Sequence, residues 1–118
     1  MPGIDARTRD AYCVRRILEY CDQIGETLES IGRSRTIFLT SHIHRNAVAM
    51  CILQIGEISK QFSQEVLSSN SQIPWKLIAR TRDLYAHHYG AVDFELLWET
   101  AVGDIPEVTR FCRSYLEG

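Results

Sequence analysis

Two arginines, two histidines and two tyrosines fall within one short stretch of this chain, from Arg80 to Tyr89. On a helix, Arg80, Asp83 and His87 are three and four positions apart and share a face. Asp83 is thereby expected to accept a hydrogen bond from one ring nitrogen of His87 and to orient the other. Arg82 and Tyr89, seven apart, return to nearly the same angle. Arg82 and His87 are five apart and diverge by about 140° on an ideal helix. They share a site only if the helix ends near His87, if the long arginine wraps around it, or if a second copy completes the geometry.

The chemistry these groups offer is phosphodiester cleavage without a metal. A base takes the proton from a ribose 2′-hydroxyl, a cation stabilises charge growing on the phosphate, and an acid protonates the leaving oxygen. His87 suits the proton-transfer role. Arg82 suits the phosphate role, because its planar fork matches the oxygens and stays charged. An arginine and a histidine on a polar helix face are also what any solvated surface offers, so this pattern alone does not decide.

Periodicity supplies the elements that must position these groups. Val14, Ile17, Leu18, Cys21, Ile24, Leu28 and Ile31 recur at steps of three and four, predicting a helix from about Asp10 to Ile31 that stops at Gly32 and the polar run 33–35. A second helix is predicted from about Ser41 to Val66, with Val48, Cys51, Ile52, Ile55, Ile58, Phe62 and Val66 inward. Gly56 inside it costs about 1 kcal/mol relative to alanine, which a close helix crossing would explain. Residues 68–72 read as a loop, and Pro74 opens a third helix carrying Trp75, Leu77, Ile78, Leu84 and Tyr85. Asp93 is a good N-cap for a fourth, with Val92 and Leu97 placed as a hydrophobic staple. Gly103 is expected to interrupt that helix. Asp104 and Glu107 then form a capping-box-like start for a last one, with Val108, Phe111, Cys112, Tyr115 and Leu116 as core candidates. No segment alternates with period two, so the expected fold is all-α, an up-and-down bundle of four to five helices in one domain over residues 1–118, with 1–8 read as a flexible terminus.

Composition is that of an ordinary soluble globular domain: 45% hydrophobic, 24% charged and a formal net charge of −2. Nothing global marks a nucleic-acid binder, so attraction for phosphate must come from a local basic cluster. Cys13, Cys21, Cys51 and Cys112 form no CxxC pair, and three of them sit at apolar helix positions. With no signal peptide or membrane-length apolar run, a reducing cytoplasm is the expected location.

Other polar residues have plainer readings. His42 and His44 lie on opposite sides of a helix and are read as surface or interface residues, and adjacent His87 and His88 chelate poorly, so no metal site is expected. His88 is expected to face the core or a partner copy. Trp75 and Trp98 are read as core or interface anchors. Arg15, Arg16, Arg33 and Arg35 are either solvated or rim the cleft, and Glu57 is either an exposed helix residue or a partner for an arginine.

The string Arg82-Asp83-Leu84-Tyr85-Ala86-His87-His88-Tyr89 resembles the Arg-x4-His-x-Tyr motif of HepT-like toxins, in the HEPN superfamily of helical RNases. The likeness extends to Ile55-Gly56-Glu57-Ile58, Ile73-Pro74-Trp75, Val92-Asp93, Trp98-Glu99-Thr100 and Asp104-Ile105-Pro106, covering roughly residues 8–116. The resemblance implies a HEPN-like homodimer whose Arg82 and His87 face a two-fold cleft, cleaving RNA such as tRNA or mRNA without a cofactor. Asp83 and Arg80 are supporting residues. It also implies an antitoxin resembling the minimal nucleotidyltransferase MntA, which inactivates the toxin by transferring AMP to Tyr89. Where the superfamily often has asparagine after the arginine, this chain has Asp83, which raises the basicity of His87 but repels phosphate. The alternative is a non-catalytic helical module that binds nucleotide or a nucleotidyltransferase. A positive cleft favours the enzyme; one neutralised by Asp83 and Glu57 favours the binder.

Overall fold

The first apolar stripe becomes helix α1, Ala6–Ser30, in the computed structural model, which describes residues 5–88, 90 and 92–118. Asp5 caps it by accepting from the Thr8 amide at 2.7 Å, so residues 6–8 of the terminus read as flexible are helical. Gly32 ends it in the left-handed region, at φ 60°. Its N–H donates to the Glu29 carbonyl and that of Arg33 to the Leu28 carbonyl, the crossed pair of a Schellman closure.

A short helix not read from the sequence follows, α2 at Arg35–Thr40, capped by the Ser34 side chain. It exists to deliver Phe38, fully buried, against the ring of Trp98 at 5.3 Å. The single helix expected from Ser41 to Val66 is in fact two. Helix α3 spans His42–Ser59 and α4 spans Gln64–Ser69. The break is held by a residue far away in the chain. Asp10 of α1, 4% exposed, accepts from the Ser63 amide at 2.8 Å and from its hydroxyl at 2.6 Å. Ser63 in turn caps α4 through Val66. Replacing Asp10 with alanine removes the acceptor of both donors of half-buried Ser63, so unfolding stability is expected to fall by about 1–3 kcal/mol. In urea titration the midpoint drops while the slope stays unchanged.

Helix α5, Trp75–His87, stops where the motif histidines begin. Asp93 caps α6, Phe94–Glu99, by accepting from the Glu95 and Leu96 amides. Neither the expected interruption at Gly103 nor the capping start at Asp104 is present. The chain stays helical through a π turn, Thr100–Asp104, into α7, Ile105–Glu117, and Asp104 makes no capping bond. The Ile105 amide reaches back to the Thr100 carbonyl. Pro106 has no N–H to give, and the wider turn ahead of it absorbs that loss without breaking the helix.

Every regular element among the described residues is helical, and four long helices build the core. Helix α1 lies between α3 and α7, and α3 lies between α1 and α5. The predicted stripes are buried, apart from half-buried Leu18, Leu77, Phe111 and Tyr115 and exposed Leu84 and Leu116. Trp75 is a core anchor, edge-on to Phe62 and Phe111, with its indole N–H on the Asn70 carbonyl at 3.1 Å. Among the described residues no helix is long and apolar enough to cross a membrane.

All four cysteines are buried free thiols. Burial pushes Cys21 and Cys112 up to about 12 and Cys51 up to about 11, and raises Cys13 as well. Thiolate is the reactive form, so labelling by a disulfide reagent at pH 8 is expected to be negligible in the folded protein. All four thiols should react on denaturation.

Candidate active site

The motif helix is seated on α3 through a glycine. A Cβ on Gly56 would lie 2.5 Å from the Arg82 Cβ and 2.9 Å from the Ile78 carbonyl oxygen. Only hydrogen fits there, which is the close crossing the sequence pattern anticipated. The stem of Arg82 therefore runs directly over the α3 backbone, and its guanidinium emerges beside the next residue on α3, Glu57.

Four charged side chains meet at that point. Arg82 Nε lies 2.8 Å from Glu57 Oε2, and Arg82 Nη1 donates to Asp83 Oδ1 at 3.1 Å. Lys60, at the end of α3, donates to the same Asp83 oxygen at 2.7 Å and sits 3.9 Å from Glu57 Oε2. The Arg82–Glu57 contact is an ion pair without a hydrogen bond: the buried Nε–H is not aimed at the oxygen, despite the short distance. The hydrogen bond from Lys60, and after it the one from Arg82, hold the Asp83 carboxyl below the usual carboxylate range. Asp83 thus serves Lys60 and Arg82. The expected hydrogen bond from His87 to Asp83 is not found among the described residues; Asp83 Oδ1 accepts instead from the lysine of the neighbouring helix and from the adjacent arginine.

His87 opens elsewhere. It borders a surface cavity of about 440 Å³ together with Arg80, Asp83, Leu84, His88 and Leu96. Arg80, Asp83 and His87 do share a helix face, as their spacing requires. His88, expected toward the core or a partner copy, is exposed and borders the same cavity. Arg82 is not part of that cavity's wall. Helix α5 ends at His87, yet Arg82 and His87 do not border one cavity; Asp83 is bonded to Arg82 and borders the cavity that His87 lines. Tyr89 lies outside the described residues.

The remaining polar residues take their plainer roles. His42 is exposed, and His44 is half-buried with Nδ1 2.6 Å from the Ser41 hydroxyl. Arg33 pairs with Glu29 at 2.7 Å and Arg35 with Glu95 at 3.4 Å. Arg16 donates to the hydroxyls of Tyr12 and Tyr20, each at 3.1 Å. Lys60 was not anticipated from the sequence. Its signal was available only in retrospect, as a lysine three residues after Glu57 at the end of a helix.

Comparison with known proteins places the chain in a family. The family model described as "Ribonuclease HepT-like" matches residues 17–115, a span that includes Gly56, Glu57, Arg82 and His87. A candidate RNase of Caldanaerobacter subterraneus subsp. tengcongensis is 30% identical over 104 residues, covering 88% of this chain and 91% of that protein. A candidate RNase of Methanocaldococcus jannaschii is 33% identical over 94 residues, covering 80% of this chain and 76% of its own. A protein of Thermococcus cleftensis named "Probable ribonuclease HepT" is 35% identical over 95 residues, covering 76% of this chain and 86% of its own. No solved structure matches significantly. The chain belongs to the ribonuclease HepT-like family.

Proposed function

We propose that this protein is a metal-independent endoribonuclease and the toxin of a toxin–antitoxin module. What carries the reading is family membership across residues 17–115, a span that includes both Arg82 and His87. The reaction is transesterification. The ribose 2′-oxygen loses its proton, bonds to phosphorus and displaces the 5′-oxygen, which takes up a proton and leaves a 2′,3′-cyclic phosphate. His87 moves protons; Arg82 stabilises the charge on the phosphorane oxygens, where its planar fork is most useful. Arg80 supports His87 from the same helix face. Asp83 acts through Arg82, whose Nη1 it accepts.

The reading includes a second subunit. Since Arg82 and His87 diverge on α5, a homodimer that sets two copies of the helix across a two-fold axis supplies the missing proximity. The substrate is RNA, of the tRNA or mRNA class. The antitoxin is an MntA-like nucleotidyltransferase, and AMP placed on Tyr89 inactivates the toxin by presenting an anion to Arg82.

One observation favours a second reading. The Arg82 guanidinium is already met by two carboxylates, Glu57 and Asp83, as in a non-catalytic module that binds nucleotide or a nucleotidyltransferase. The experiment that separates them is cleavage of total RNA and tRNA in EDTA, using protein verified by mass to carry no AMP on Tyr89. Fragments ending in 2′,3′-cyclic phosphate are the expected result. Intact RNA would leave the binding module standing.

A further inference from the structure

Glu57, Lys60, Arg82 and Asp83 form one contiguous cluster of two carboxylates and two cations. Its formal charges sum to zero, so a phosphodiester approaching Arg82 meets little net attraction.

The two carboxylates hold Arg82 differently. Asp83 accepts a formed hydrogen bond and is itself tied down by Lys60. Glu57 offers charge at 2.8 Å but no aligned bond, and the Arg82 Nε–H it faces is buried without an acceptor. A buried donor left unpaired is costly, and a correctly placed oxygen would satisfy it. The Glu57 side chain is 46% exposed, so swinging it into water costs little. Its oxygen occupies the place an anionic oxygen would take on that edge of the guanidinium, with poorer geometry.

We propose that Glu57 is a built-in competitor for the phosphate oxygen at Arg82. It keeps the guanidinium neutralised while the site is empty and yields to a phosphodiester, whose oxygen satisfies the Nε–H. The proposal rests on the reading that Arg82 receives substrate phosphate. It distinguishes Glu57 from a positioning residue: a positioner strengthens binding or turnover when present, and a competitor weakens binding.

The test uses binding, which does not depend on cleavage. The probe is a fluorescent single-stranded 2′-O-methyl RNA, which cannot undergo transesterification. Anisotropy titrations at several salt concentrations compare wild type, Glu57→Gln, Arg82→Ala and the double variant. Glu57→Gln is expected to tighten binding by about two- to fivefold, the scale of one surface ion pair released. The dependence of log affinity on log salt should steepen by about 0.7, as one more cation becomes available to a single strand. In the Arg82→Ala background the same substitution should do nothing. Unchanged or weaker binding by Glu57→Gln, with Arg82→Ala still weakening it, would overturn the competitor. Should Arg82→Ala leave binding unchanged, it is the phosphate-receiving role of Arg82 that fails. Glu57→Ala replaces the glutamine variant if that one does not fold, with the same expected direction.

Discussion

Alanine at His87 is expected to lower RNA cleavage by about 10²- to 10⁴-fold, the usual contribution of a positioned proton-transfer group. The fold should hardly notice, because His87 is an exposed residue at the end of α5, and surface changes of that kind usually shift stability by less than about 0.5 kcal/mol. That separation is what makes the variant informative: activity falls while the urea midpoint stays. Alanine at Arg82 is expected to cost about 10²- to 10³-fold, as loss of a charge-stabilising donor does. It also releases Glu57 and Asp83 from their cation, so its stability must be measured alongside. Lysine at Arg82 keeps the charge but not the planar fork, and is expected to restore only part of the rate. Full activity in His87→Ala would remove that histidine from the chemistry.

Gly56→Ala should damage both the fold and the site. The new methyl would sit 2.5 Å from the Arg82 Cβ and 2.9 Å from a carbonyl oxygen of α5. Neither is the far end of a flexible side chain, so the helices themselves must part. Overpacking of this kind costs about 1–3 kcal/mol, against which alanine returns up to about 1 kcal/mol of helix propensity. A net loss of about 1–2 kcal/mol is expected from denaturant titration. The larger effect is on cleavage. Restoring ordinary contact requires Arg82 to move by about 1 Å, and a displacement of that size costs on the order of 10²-fold in rate. Because the activity loss exceeds what the fraction unfolded explains, measuring both on one preparation decides the matter. A variant with wild-type cleavage and stability would show that α3 and α5 can separate freely at this crossing.

Much of the fold is legible in the sequence because helix signals are local. The step of three and four fixed which faces of α1 and α3 turn inward. Gly32 marked the end of α1, and Asp93 marked the start of α6, since each satisfies backbone groups within a turn of itself. The α5 residues of the candidate site were legible as types at a spacing, Lys60 was not, and the resemblance to a known motif matched the family found by comparison.

What the sequence did not decide depends on groups far apart in the chain. The break between α3 and α4 is held by Asp10 of α1, which accepts from Ser63; local periodicity carries straight through it. The continuity from α6 to α7 reverses a local reading of Gly103 and Asp104, because packing holds the π turn in helix. Spacing along α5 made Asp83 a partner for His87, but its Oδ1 accepts from Lys60 of the neighbouring helix and from Arg82. The close crossing over Gly56 brings the end of α3 to α5, where Lys60 reaches Asp83 and Glu57 reaches Arg82. The sequence determined which chemical groups the helix carries; the crossing of two helices determined which of them hold one another.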